Sequence, residues 1–300
     1  MKKLWSKNCE KDFFLKSMEF ATPEQLFYVT KDQKMCAYWP KKYGDAKTTL
    51  QSRNSLIGNY TEKWGVELFK EIAEKLDAFS VQGVVCEEIG LTRQSAADVA
   101  ICESKNIVQK PENILMIFEI KMSIAWNWEL TKKGKDYNLV CLGDYNTHQG
   151  NPSLLRSDSM LKAIGKSINI RVSNFAASKI PIVIIGNTPV TNSYYDKVDH
   201  LKQSGIIQGF WSVNPEPLDN GRESLASTKL GGFIRINTYD ELVKRTLELG
   251  ADDREFFSSM QSKQRLGEII RIADQEETEE AKAQKFLELI REAKINGRSC

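Results

Sequence analysis

Glu119 and Lys121 interrupt the run Ile114-Leu115-Met116-Ile117-Phe118-Glu119-Ile120-Lys121-Met122-Ser123. The run is otherwise apolar and rich in β-branched residues, and it reads as a strand buried on both faces. Residues two apart on a strand project from the same face, so Glu119 and Lys121 emerge side by side. Charge in such an element is costly unless it is paired or holds a metal. Asp98 precedes Glu119 by 21 residues, about the length of a hairpin, and it opens a second apolar stretch ending at Cys102. Neighbouring strands lie about 4.8 Å apart, so both carboxylates can reach one point. Two hard oxygen ligands, completed by water, suit Mg²⁺. Lys121 on that face can hold or deprotonate an attacking water. Glu62 is a further candidate, with two readings: it caps the first turn of a helix, where negative charge is favoured, or it looks into the same site.

The elements that must position these groups follow from periodicity. A helix is expected over residues 59–76, where Val66, Phe69, Ala73 and Leu76 keep helical spacing and Trp64, Leu68 and Ile72 widen the apolar face. Strands are expected over 81–88 and 96–102, and a turn containing Pro111 leads into the central strand. Residues 124–157 then form a long connection with little periodicity. A second helix follows the cap at Ser157-Asp158, with Leu161, Ile164, Ile168 and Val172 as its buried stripe and Lys162, Lys166 and Arg171 off it. Further strands are expected over 180–186, 209–213 and 232–236, with a helix over 193–203. From Thr238 onward the chain turns helical and highly charged, and Phe286, Leu287, Ile290 and Ala293 suggest an amphipathic last helix. Near the start, Thr22-Pro23-Glu24 opens a short helix through Val29. This alternation is an α/β arrangement: a mixed central sheet between helices. The expected layout is an irregular helical arm over 1–55, a core over 56–237 with an insertion at 124–157, and a helical region over 238–300, all in one compact unit.

Asp98 in Ala96-Ala97-Asp98-Val99-Ala100, together with Glu119-Ile120-Lys121, resembles the PD-(D/E)xK nuclease superfamily. Ala97 stands where the motif usually has Pro. Glu62 matches a frequent extra helical acid of that superfamily, and the order of helix and strands matches from about 56 to 214. The resemblance implies a restriction-endonuclease-like αβββαβ core and Mg²⁺-dependent hydrolysis of DNA phosphodiesters. It implies that Asp98, Glu119 and the Ile120 carbonyl hold the cation, that Lys121 positions the nucleophile and offsets transition-state charge, and that products carry 5′-phosphate ends.

Within that superfamily the chain is most like a type II restriction endonuclease, because it is self-contained and has no GxxxxGK[ST] nucleotide-binding motif. Lys132, Lys133 and Lys135 suit phosphate contacts, and Asn146, Gln149, Asn151 and Arg156 suit base edges, although each is also an ordinary surface residue. Such enzymes usually act as homodimers on palindromic DNA, and the helical C-terminus is a candidate interface. A cognate DNA methyltransferase is the expected genetic partner. The alternatives are a structure-specific or repair endonuclease of the same fold and a DNA-binding module without catalysis. The segment Tyr38-Trp39-Pro40-Lys41-Lys42-Tyr43-Gly44, with Lys47 and Arg53 beyond it, is either an arm that touches nucleic acid or a set of rings packed on the core.

Composition limits the remaining choices. The 300 residues carry a net charge of only +2, so nucleic-acid affinity must come from local patches. Six Cys without a CxxC pair, and only two His, make a structural zinc site improbable and point to a reduced, cytoplasmic setting. The N-terminus has no apolar secretion segment, and no apolar run reaches the roughly 18 residues of a membrane span.

Overall fold

The computed structural model describes residues 4–44, 50–133, 136–251, 256 and 261–296. The chain divides into two compact units, Met1–Arg254 and Glu255–Cys300. The boundary falls later than the expected start of a C-terminal region at 238, because a helix just beyond that point packs into the first unit.

In chain order the first unit contains helices α1 (Lys7–Ser17) and α2 (Pro23–Leu26), strands β1 (Tyr28–Val29) and β2 (Met35–Cys36), and the long helix α3 (Gln51–Glu74). Strands β3 (Phe79–Val84), β4 (Ala97–Cys102) and β5 (Ile114–Ile120) follow, then β6 (Asn127–Lys133) and β7 (Asp136–Gly143). Helix α4 (Ser157–Ser173), β8 (Ile182–Gly186), α5 (Tyr195–Gln203), β9 (Gly209–Ser212), β10 (Phe233–Arg235) and α6 (Tyr239–Ala251) complete it. Among the described residues the strands form a six-stranded sheet, ordered β10-β9-β8-β5-β4-β3, and a four-stranded sheet, ordered β1-β2-β6-β7. In the larger sheet β4 runs antiparallel to its neighbours β3 and β5, while β5, β8, β9 and β10 run parallel. The fold is therefore α/β, a mixed sheet flanked by helices.

Side-chain alternation divides this sheet into two apolar faces. Val99, Met116, Phe118, Ile120, Val183 and Ile185 lie on the α3 side, and Phe69 of α3 stacks on Phe118 with ring centroids 3.8 Å apart. Ala100, Ile117, Ile184 and Phe210 lie on the other side, under α4 and α5. Gly65 lets α3 come close: a β-carbon there would sit 3.3 Å from both Ile120 and Val99. Helix α6 joins α3 through Tyr239, whose hydroxyl donates to the Leu68 carbonyl at 3.2 Å.

Four local expectations are corrected. Helix α3 begins at Gln51 rather than near 59, and α2 ends at Leu26, leaving Val29 in β1. The connection after β5 is not irregular: β6 and β7 form an antiparallel hairpin, and β2 pairs with β6. On α4 the buried residues are Met160, Ala163, Ser167, Ile170 and Arg171, whereas Leu161, Ile168 and Val172 are exposed. Small residues face the sheet because they let the helix approach it, and Ser167 satisfies its buried hydroxyl on the Ala163 carbonyl at 2.9 Å.

The segment after β2 packs its rings on the core. Tyr38 stacks on His148 at 3.9 Å, Trp39 stacks on Tyr28 and Tyr43, and Arg53 lies buried over the Tyr28 and Tyr38 rings. Lys47 lies outside the described residues. The arm is thus built into the first unit. No helix among the described residues is long and apolar enough to cross a membrane. The second unit contains α7 (Lys263–Ala273) and α8 (Glu279–Asn296), with Ile269, Ala273 and Ile290 buried.

Candidate active site

The register that pairs Val99 with Phe118 sets Asp98 opposite Glu119, on the face that α4 covers. Asp98 is fixed first by the backbone: its Oδ2 accepts the Ile120 N–H at 2.8 Å. Lys121 then bridges the pair. Its Nζ lies 3.2 Å from Asp98 Oδ2 and 2.6 Å from Glu119 Oε1, and it donates to the Ile120 carbonyl at 3.3 Å.

A second lysine, expected only to lie off the buried stripe of its helix, completes the arrangement. Lys166 of α4 places its Nζ 3.3 Å from Asp98 Oδ1 and 2.6 Å from Glu119 Oε2, and donates to the Ala96 carbonyl at 2.6 Å. Each carboxylate therefore gives one oxygen to each ammonium, and two negative charges face two positive ones. Lys166 escaped notice because the apolar stripe of α4 was assigned to the wrong face. With Ala163 and Ser167 recognised as the buried positions, Lys166 stands at the edge of the sheet-facing surface.

Glu119 is 4% exposed. Burial, and then the nearby Asp98 charge, push its carboxyl above the usual carboxylate range, while Lys121 and Lys166 offset part of that rise. Burial lowers the Lys121 ammonium, yet Glu119 and Asp98 outweigh it and leave Lys121 above its ordinary value. The cluster lies at the wall of a cleft of about 620 Å³ that also admits Gln94, Ser95, Arg156, Asp158 and Lys162.

The donor set fits a hard divalent cation. Two carboxylates and a main-chain carbonyl supply only oxygen, and three of those oxygens already converge on one cationic atom, Lys121 Nζ. Among the described residues no group of three or more His, Cys, Asp and Glu could hold a metal. Any cation here would thus rest on Asp98, Glu119 and the Ile120 carbonyl, with water as the remaining ligands.

Glu62 is not brought to this point. It extends from α3, on the opposite face of the sheet, and accepts the Gln82 side-chain amide at 3.0 Å. Of the candidate DNA-contact residues, Arg156 lines the cleft with its side chain 57% exposed. Lys132, Asn146 and Asn151 are exposed. The Gln149 amide is already engaged with the carbonyls of Pro40, Lys41 and Tyr43, which fits an anchor for the Tyr38–Tyr43 segment rather than a reader of bases. Lys135 and the side chain of Lys133 lie outside the described residues. Comparison with family models, with curated proteins and with solved structures found no match to this chain.

Proposed function

We propose that this chain is a Mg²⁺-dependent endonuclease acting on double-stranded DNA, of the type II restriction kind. One observation carries the reading. Asp98 and Glu119, from adjacent antiparallel strands, converge with Lys121 and the Ile120 carbonyl at the wall of an open cleft. A buried salt bridge kept only for stability gains little over apolar packing, and it has no need of a cleft. With the β6–β7 hairpin taken as an insertion between β5 and α4, the order α3-β3-β4-β5-α4-β8 agrees with the αβββαβ core that the motif implies, and so supports the same reading.

In this reading Asp98, Glu119 and the Ile120 carbonyl would hold the cation. When bound, a divalent cation stabilises charge on phosphoryl oxygens and makes water a competent nucleophile at neutral pH. Asp98 is oriented by the Ile120 N–H, so its position does not depend on substrate. Lys121 holds the attacking water by hydrogen bonding and offsets the negative charge that grows on the phosphorus centre. Arg156 and Lys162 at the cleft draw in the phosphate backbone. Homodimerisation through the C-terminal helices and a methyltransferase partner belong to this proposal as well.

Digestion of a plasmid of known sequence with Mg²⁺, followed by end sequencing, tests it. Discrete fragments with 5′-phosphate ends at one repeated sequence are expected. A ladder of unrelated ends would point instead to a structure-specific or repair enzyme. Intact plasmid under every divalent cation tried would remove the enzymatic reading.

A further inference from the structure

The Asp98–Glu119 pair is saturated by the protein's own cations. Lys121 and Lys166 each direct three hydrogen bonds at it or its flanking carbonyls, and the two ammonium charges balance the two carboxylates. The two lysines are not equivalent in position. Lys121 occupies the corner that includes the Ile120 carbonyl, where three oxygens converge. Lys166 comes from a different element and grips the outer oxygens, Asp98 Oδ1 and Glu119 Oε2. Its side chain is only 14% exposed, so solvent screens little of its charge.

We propose that Lys166 is an internal counter-cation which competes with divalent metal for the carboxylate pair, and that it turns its ammonium to the phosphodiester once metal and DNA are in place. The inference rests on the metal-dependent reading above. Its physical basis is simple. An ammonium that touches both ligands repels a dication placed between them, and a low-dielectric wall strengthens that repulsion. The same ammonium stabilises a phosphate oxygen that arrives with negative charge. Lys166 therefore lowers metal affinity in the free protein and raises the rate in the DNA complex. A residue with a purely structural role would do neither: its loss would weaken metal binding and cleavage together.

The experiment is calorimetric titration of the full-length chain with Mn²⁺ alone, without DNA, alongside plasmid cleavage in Mg²⁺. Lys166→Gln is expected to bind Mn²⁺ about tenfold more tightly than the natural protein and to cleave at least about tenfold more slowly. Lys166→Arg keeps the charge and should hold Mn²⁺ affinity within about twofold of the natural value. Unchanged or weaker Mn²⁺ binding by a folded Lys166→Gln, judged by circular dichroism, would overturn the proposal. If Lys166→Gln does not fold, Lys166→Met is titrated in its place: tighter Mn²⁺ binding than in the natural protein supports the proposal, and unchanged or weaker binding overturns it. Asp98→Asn separates the two readings. If it binds Mn²⁺ as the natural protein does, the metal reading itself fails. If binding is lost there and Lys166→Gln is not tightened, only the role of Lys166 fails.

Discussion

Two groups of ionisable side chains in the first unit are built on opposite plans. At the cleft, Asp98 and Glu119 are matched by Lys121 and Lys166. Elsewhere Glu10 of α1 is fully buried and its partners are neutral N–H groups: the indoles of Trp5 at 3.2 Å and Trp128 at 2.9 Å, and the backbone of Ala125 at 2.5 Å and Trp126 at 3.2 Å. His148 shares that region. Its Nδ1 accepts the Gly150 N–H at 3.1 Å, which leaves the proton on Nε2, 3.4 Å from the Ala125 carbonyl. The Glu10 carboxyl ties the first helix to the segment that follows β5, and the donors around it satisfy its oxygens. The cleft cluster instead carries more charge than its hydrogen bonds require. Burial of charge is thus common to a clasp and to a site. What separates them is a set of charged partners, Lys121 and Lys166, and a route to solvent through the cleft.

Substitution should break the two clusters in different ways. The largest effect is expected at the cleft. Asp98→Asn, Glu119→Gln or Lys121→Ala should each reduce plasmid cleavage by about 10³-fold or more, since the first two remove proposed metal ligands and the third removes a group proposed to offset transition-state charge. The far-ultraviolet circular dichroism spectrum should stay unchanged. Cleavage retained by any of the three would place the chemistry elsewhere. Next comes the clasp. Glu10→Ala leaves four buried or partly buried donors without an acceptor, at about 1–3 kcal/mol each where no water enters. Four such losses sum to at least about 4 kcal/mol, and a fall in melting midpoint of roughly 10 °C or more follows. Glu119→Gln should lower the midpoint by less than half as much. Equal losses from the two variants would erase the distinction between site and clasp.

A titration of stability against pH sharpens the clasp further. Burial raises the Glu10 carboxyl to about 7, against the pull of its four donors, while burial lowers His148 to about 4. From an ordinary value of 4.5, a raised carboxyl means that the native state holds a proton the unfolded chain releases. Stability from Glu10 therefore falls as pH rises between 4.5 and 7. His148 acts oppositely: below its ordinary 6.5 the unfolded chain takes up a proton that the native ring refuses, so stability falls as pH drops toward 4. Each contributes about 3 kcal/mol across its window. Because the windows overlap, the natural protein should show a shallow dependence between them. Glu10→Gln should leave only the His148 slope, with denaturation midpoints in guanidinium rising from pH 4 to 6.5 and flat above. A midpoint that still falls between pH 5 and 7 in that variant would assign the slope to another group.

Some of this was legible in the sequence and some was not, for physical reasons. Strand β5 could be read because an apolar β-branched run with two charges has few other meanings. Asp98 was legible because it opens the apolar stretch that pairs with that run. Lys166 was hidden because α4 inverts the usual signal: Leu161, Ile168 and Val172 are exposed while Ala163 and Ser167 lie inside. The β6–β7 hairpin was hidden because its strands are rich in polar residues, with Asn127, Glu129, Thr131 and Lys132 on one and Asp136 and Asn138 on the other, and its outer partner, β2, is two residues long and lies far earlier in the chain. No local window reports such a pairing. Glu10 gave no signal either, since its four donors come from Trp5 and from residues 125–128.

The smallest expected effect concerns Glu62, and it tests the boundary of the cleft cluster. Asp98 and Glu119 project toward α4, whereas their neighbours Val99, Phe118 and Ile120 meet α3, the helix that carries Glu62. The Glu62 carboxylate is engaged with Gln82 on β3, a half-exposed bond that joins helix to edge strand. A half-exposed hydrogen bond of this kind is worth about 1 kcal/mol. Glu62→Gln should therefore change the cleavage rate by less than about threefold and the melting midpoint by roughly 2–4 °C. A loss beyond 100-fold with an unchanged midpoint would show that α3 swings its acid round the end of the sheet when DNA binds. The site would then have a third carboxylate contributed across the sheet.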